Sequence, residues 1–282
     1  MPELLFDSHA HYFDKRFLSL EGGVETLLQD EVFPAGVGYI VNVGTNPSNS
    51  ISAIEMAKQY DGMYATVGIH PEDAQLSGLD PDAAVSEIEK LISDEVARME
   101  NKIVALGEIG LDYHEWADGG FIPDKALQSI FFERQMELAK KYDLPVIIHD
   151  REAHGDCFET VLRYPQVSGV FHSYSGSSEM ARELVKRGWY ISFSGVVTFK
   201  NAARVKEVAT SVPLQHLLIE TDAPYLAPHP LRGTLNHSGK MRYTAETLAE
   251  LHSTTVEEMI RITAENAARL YGVELKGNGK VE

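Results

Sequence analysis

The chain has 282 residues, 44% of them hydrophobic, with 42 acidic against 25 basic side chains and a formal charge of −17. That balance suits a folded domain with a sizeable core, and it excludes broad adhesion to polyanions through a basic surface, though not a nucleic-acid substrate met at bound cations. No apolar run approaches the roughly 20 residues of a membrane helix, Met1-Pro2-Glu3 opens no signal-peptide pattern, and the single Cys157 excludes an internal disulfide and reads as an inert thiol. The expectation is a cytoplasmic protein without membrane contact or an indicated protein partner, a monomer or weak oligomer.

Eight short apolar, β-branched runs read as strands. In chain order they lie near Leu4–His9, Tyr39–Gly44, Tyr64–His70, Ile103–Glu108, Pro145–His149, Val167–His172, Tyr190–Ser194 and Leu217–Asp222. Between them the periodicity becomes helical: Ser48–Tyr60, Asp82–Met99, Gln128–Tyr142, Cys157–Arg163, Ser178–Arg187 and Ala202–Ser211. Leu127, Ile130, Phe131 and Leu138 fall on one face of the third of these helices. Two further helices follow, around Thr244–His252 and Thr255–Tyr271, the second introduced by a capping signal at Thr254/Thr255 with Glu257 and Glu258. Strands alternating with helices imply parallel βαβ units, and eight of them predict an α/β fold, a (β/α)₈ TIM barrel over residues 1–275. Residues 276–282 read as a flexible tail. An open doubly wound sheet is the structural alternative, but no glycine-rich dinucleotide fingerprint accompanies it.

The strand ends carry the chemistry. His9, His11, His70, His149 and His172 each lie at or just past such an end, as do Glu108 and Asp222. A closed parallel sheet would gather them at its C-terminal rim, where a metal site would form. His9 and His11 are separated by one residue and therefore face the same side of a strand, with Asp7 expected to point the same way. Glu108 sits between Gly107 and Gly110, which would let backbone or ligands come close. His9, His11, Glu108, His149, His172 and Asp222 make six donors, more than the three protein ligands usual for one catalytic zinc. Two cations sharing Glu108 would use all six and leave positions for water, an arrangement suited to in-line displacement at phosphorus. Around them, Arg151 would offer a planar fork to a phosphate and His70 a hydrogen bond to a substrate oxygen. Tyr113 and His114 are candidates to line a cleft for a base or sugar. His154, His216, His229 and His252 read as ordinary surface or core residues.

The motifs Phe6-Asp7-Ser8-His9-Ala10-His11, Gly68-Ile69-His70-Pro71, Gly107-Glu108-Ile109-Gly110-Leu111-Asp112-Tyr113, His149-Asp150-Arg151-Glu152-Ala153, His172-Ser173-Tyr174-Ser175-Gly176 and Glu220-Thr221-Asp222-Ala223-Pro224-Tyr225-Leu226 stand in one order along nearly the whole chain. In that order and spacing the sequence resembles the TatD-type metal-dependent deoxyribonucleases of the amidohydrolase superfamily. The resemblance implies a barrel, and His9, His11, Glu108 and Asp222 around one metal with Glu108, His149 and His172 around a second. It also implies hydrolysis of DNA phosphodiesters, often from the 3′ end, with Mg²⁺ or Mn²⁺. Four imidazoles would by affinity also accept Zn²⁺ or another transition metal. One departure stands out. Where the family commonly carries Arg-Gly-x-x-Asn-Glu-Pro, this chain has Arg232-Gly233-Thr234-Leu235-Asn236-His237-Ser238. A carboxylate and a rigid turn are thus expected to be missing at the mouth of the site, with Arg232 and Asn236 still available to substrate.

The leading reading is a two-metal phosphodiesterase acting on single-stranded 3′ ends of DNA, with Asp222 orienting the attacking water and taking its proton, Glu108 bridging the cations, and Arg151 with His70 holding the phosphate. A small ester, lactone, amide or aminoacyl ester would need the same activated water and is the alternative substrate class. A metal-binding interaction protein without activity is the non-enzymatic reading.

Overall fold

The computed structural model describes residues 4–275 of the chain, so the expected tail at 276–282 lies outside the described residues. The elements run β1 (Leu5–Ala10), α1 (Lys15–Leu18), α2 (Gly23–Leu27), β2 (Val37–Val43), α3 (Pro47–Gln59), β3 (Met63–Val67), α4 (Pro71–Leu76), α5 (Pro81–Ile92), α6 (Glu95–Glu100) and β4 (Ile103–Asp112). They continue α7 (Lys125–Tyr142), β5 (Val146–Arg151), α8 (His154–Leu162), β6 (Gly169–Phe171), α9 (Ser178–Lys186), β7 (Tyr190–Phe193), α10 (Ala203–Ser211), β8 (Leu217–Ile219), α11 (Arg242–Leu251) and α12 (Val256–Tyr271).

The eight strands form one parallel sheet in sequential order, the (β/α)₈ barrel that the alternation of strand and helix predicts. Its inner layer, including Phe6, Val41, Ala105, Ile147, Val170 and Leu218, packs onto Tyr271 of α12 at the N-terminal end. The alternate residues of the same strands, such as Ile40, Leu106 and Ile148, face the ring of helices. The C-terminal rim is thereby left for polar groups. No helix among the described residues is long and apolar enough to cross a membrane.

Seven strand junctions are hydrogen-bonded ladders; the eighth is different. β8 and β1 meet through a single bridge, Ala10 with Ala223, supported by Asp222 N–H to the His9 carbonyl (2.9 Å) and His11 N–H to the Ala223 carbonyl (2.7 Å). Opposite this seam, β4 runs to Asp112, four residues beyond its predicted end, and pairs with β5 as far as Arg151. Gly110 makes that extension possible. Its φ is +142°, and a Cβ there would overlap the His149 carbonyl oxygen. What the glycine admits is therefore the neighbouring backbone and not a ligand.

The helices differ from expectation in two places. The predicted Asp82–Met99 helix is two, because the Asp94 carboxylate accepts the Ala97 N–H and starts a new helix after Ser93. Within α7, Phe131 and Leu138 are buried as the pattern predicts, but Ile130 is exposed.

Candidate active site

Five strand ends bring six side chains to one rim. His9 and His11 come from β1 and the residue after it, Glu108 from β4, and His149 from β5. His172 and Asp222 lie just past β6 and β8. Asp222 takes φ +55° and Ser173, next to His172, φ +41°, conformations that non-glycine residues adopt at a cost of order 1–3 kcal/mol and that gather at functional sites.

Glu108 organises the centre. It is 3% exposed, and its two oxygens face different partners. Oε2 lies 3.4 Å from His9 Nε2 and 3.6 Å from His11 Nε2. Oε1 lies 2.7 Å from His149 Nδ1 and 2.8 Å from His172 Nε2. Asp222 Oδ1 completes the first group, 3.5 Å from His11 Nε2 and 3.8 Å from His9 Nε2.

The donor set fits divalent cations. His11 Nδ1 lies 2.7 Å from the Val43 carbonyl and donates to it, so its Nε2 presents a lone pair to the rim. That lone pair stands 3.0 Å from His9 Nε2, among carboxylate oxygens. Metal–ligand bonds of about 2.0–2.2 Å place adjacent ligands about 3.0–3.5 Å apart, close to the spacing found here. His149 makes the same point. Its Nε2 donates to Asp112 Oδ2 at 3.0 Å, so Nδ1 meets Glu108 Oε1 as one lone pair against another unless a proton or a cation lies between them. Burial alone would lower the His149 pKa, but the bonds to Asp112 and Glu108 outweigh it and raise it to about 9. His172 is also raised: burial opposes the shift, but Glu108 and Glu220 overcome it. Glu108 and Asp222 are held below the usual carboxylate range. Burial opposes this in both, but the surrounding imidazoles prevail.

Three of these rings are oriented from behind. His149 Nε2 meets Asp112, His172 Nδ1 meets Glu220 Oε1 at 3.3 Å, and His11 Nδ1 meets Val43. A carboxylate or carbonyl on the far nitrogen fixes the tautomer of a metal-binding imidazole. Sequence reasoning alone misses the roles of Asp112 and Glu220. The available signal is position: Asp112 lies four residues beyond Glu108 on one strand, and Glu220 two before Asp222.

His70 also lies among possible ligands, with Nε2 3.6 Å from Glu108 Oε1. Its other nitrogen argues for a different role. Nδ1 accepts the Glu72 N–H at 3.1 Å as the N-cap of α4, so the ring proton resides on Nε2. Burial lowers its pKa to about 3 and keeps the ring neutral. His70 therefore points an N–H, not a lone pair, into the site.

Asp7 does not join the ligands. β1 is irregular between Asp7 and Ala10, and this shift in register breaks the simple alternation with His9. The buried carboxylate instead accepts Thr221 N–H (3.0 Å), Thr221 Oγ1–H (2.6 Å), Ser238 Oγ–H (2.6 Å) and His9 N–H (3.2 Å). Burial raises its pKa to about 6 despite these bonds. The network ties the end of β1 to the end of β8.

The rim opens into a cavity of about 650 Å³ lined by His11, His70, Glu108, His149, His172 and Asp222, and further out by Phe13, Asp14, Glu72, Asp73, Arg151, Tyr225 and the small turn at Ser173 and Ser175. Arg151 is half exposed, with Nη1 3.7 Å from Asp112 Oδ2. Three sequence candidates for substrate contact lie outside this lining. Tyr113 turns away, its hydroxyl donating to Asp156 and its ring under Lys125. Arg232 stacks on Phe199. Asn236 is fully buried, donating to the Thr221 carbonyl. His114 pairs instead with Glu152. His237 is not at the mouth either. It is buried, with Nε2 3.3 Å from Glu31 Oε2, so the departure from the family pattern falls on packing against the Leu28–Val32 turn, outside the cavity.

A parallel barrel with imidazoles and carboxylates converging at its C-terminal rim defines the class, a metal-dependent hydrolase. Comparison with known proteins gives the family. The family described as TatD related DNase matches residues 6–272. The uncharacterized metal-dependent hydrolase YabD of Bacillus subtilis is 41% identical over 274 residues, covering 96% of this chain and 100% of YabD. YcfH of Escherichia coli, also described as an uncharacterized metal-dependent hydrolase, is 34% identical over 96% of each chain. Among solved structures, the TatD homolog YjjV of E. coli superposes with a TM-score of 0.83 at 30% identity, over 96% of this chain and 98% of that one. The chain belongs to the TatD family of metal-dependent hydrolases.

Proposed function

We propose that this hydrolase cleaves phosphodiester bonds in DNA, acting on single-stranded 3′ ends with two divalent cations, Mg²⁺ or Mn²⁺ by availability and Zn²⁺ or another transition metal by affinity. The observation that carries the reading is Glu108, whose two oxygens face two separate donor groups. His9, His11 and Asp222 with Glu108 Oε2 would hold one cation, and His149 and His172 with Oε1 the other. Bound there, the cations would supply Lewis acidity, lowering the pKa of a water and neutralising charge on the phosphate.

The protein's own groups do the rest. Asp222, ionised and with its side chain 17% exposed, orients the attacking water and accepts its proton. His70 donates its Nε2–H to a non-bridging phosphate oxygen. Arg151, at the rim, offers its guanidinium to the same phosphate or the next. A specific observation favours the alternative class of small esters, lactones or amides: Asp14, Glu72 and Asp73 line the mouth, and Arg151 is the one Lys or Arg in the lining among the described residues.

The deciding experiment follows nucleotide release from end-labelled single-stranded DNA by metal-stripped protein after adding back Mg²⁺, Mn²⁺ or Zn²⁺, with Asp222→Asn as control. Metal-dependent release from the 3′ end, lost in the variant, is expected. No release with any metal, from protein that binds two ions by calorimetry, would redirect the assignment to esters and amides.

A further inference from the structure

We infer that two exposed aromatic rings, Tyr225 and Trp116, form stacking platforms for the bases of a single strand crossing the cavity mouth. The inference deepens the phosphodiesterase reading and rests on it. Tyr225 follows β8 and Trp116 follows β4, four strands apart in a ring of eight. Tyr225 belongs to the cavity lining, and Trp116 stands just outside it, joined to it through Glu72. Tyr225 lines the cavity yet is 46% exposed, and Trp116 is 38% exposed.

Both rings are braced from behind. The Arg16 guanidinium lies 3.9 Å from the centroid of Tyr225 and is itself fixed by Asp14 through two 2.9 Å bonds. Trp116 Nε1–H donates to Glu72 Oε1 at 3.0 Å, and the ring packs on Phe121 at 5.7 Å. Glu72 in turn lines the cavity. Large apolar rings held rigid beside a hydrolytic centre, with open surface toward solvent, suit a flat apolar partner.

Charge identifies that partner's mode of binding. A strand cannot be held here by its phosphates in the usual way, because among the described residues Arg151 is the only Lys or Arg in the lining, against Asp14, Glu72 and Asp73. Stacking is indifferent to that charge, and every base presents a face. The chemical class is therefore single-stranded nucleic acid engaged chiefly through its bases, one on each ring.

The test compares kcat/KM on short single-stranded DNA carrying either a base or an abasic residue at each of the last four positions, for wild type, Tyr225→Leu, Trp116→Leu and the ring-preserving Tyr225→Phe. Wild type is expected to prefer a base by about tenfold at two of these positions, the size of one stacked base at each. Tyr225→Leu should abolish the preference at one position and Trp116→Leu at the other, each variant serving as its own reference on the abasic strand. Tyr225→Phe should retain both. Raising salt from about 50 to about 200 mM should cost wild type less than about tenfold, as for one or two phosphate contacts. Cleavage of DNA without base preference, or a thousandfold salt dependence, would overturn the platforms and leave the nuclease intact. Failure of wild type to cleave DNA at all would overturn both.

Discussion

The two sides of this barrel hold the clustered rim side chains by different means. Along the β4–β5 wall, Glu108 and His149 ride on a backbone ladder that continues to Asp112 and Arg151. At the β8–β1 seam, His9, His11 and Asp222 stand where the ladder shrinks to one bridge. Side chains replace it there, with Asp7 joined to Thr221 and Ser238, and Tyr12 hydrogen-bonded to Ser238 at 2.8 Å. Backbone pairing fixes position whatever the side chains are. A side-chain seam makes ligand geometry depend on individual hydrogen bonds. The difference teaches that fold stability and cation binding are coupled on one side of the site and separable on the other.

That contrast can be broken. The largest effect is expected from Asp222→Asn, which removes the proposed proton acceptor and should cost about 10²–10⁴-fold in kcat while the melting temperature hardly moves. Next, Asp7→Ala strands two hydroxyls and two N–H groups in the interior. It should lose about 2–4 kcal/mol in urea unfolding and weaken cation binding measured by calorimetry. Asp112→Asn, on the wall, should weaken cation binding about 10–100-fold with stability changed by less than about 1 kcal/mol. If Asp112→Asn destabilised as much as Asp7→Ala, the distinction between seam and wall would be lost.

The smallest effect concerns His237, beside the seam. Burial, with Lys240 nearby, lowers its pKa to about 4, while Glu31 alongside it is largely exposed and screened. Because the unfolded chain, near 6.5, takes the proton more readily, the contribution of His237 to stability is full above pH 6.5 and is lost as pH falls toward 4. Between about pH 7 and about pH 5, His237→Gln should lose about 2 kcal/mol less stability than wild type. Equal losses would place the acid sensitivity elsewhere.

Much of the fold and the centre is legible in the sequence. Buried parallel strands leave continuous apolar runs, and a ligand immediately after such a run has only the rim to occupy, so the positions of His9, Glu108, His149, His172 and Asp222 follow from the strand pattern. Three kinds of information are not legible. The register shift in β1 sends Asp7 away from His9, and no alternation rule contains a bulge. Helices as short as α1 and α4 show too little periodicity to be seen. The peripheral residues Tyr113, Arg232 and Asn236 sit in loops whose direction is set by partners far away in sequence: Asp156, Phe199 and Thr221. The tautomer of His70 belongs with these, since it depends on a helix too short to predict.

That tautomer has an optical consequence. His70 caps the helix on which Glu72 stands, and Glu72 holds the indole of Trp116. The chain has two tryptophans, and the other, Trp189, is buried in the core. A ligand that pulls on the His70 ring would shift the helix start and alter the polarity around an indole at the surface. Emission from Trp116 thus becomes a built-in reporter of what occupies the centre, readable in a cuvette without any label.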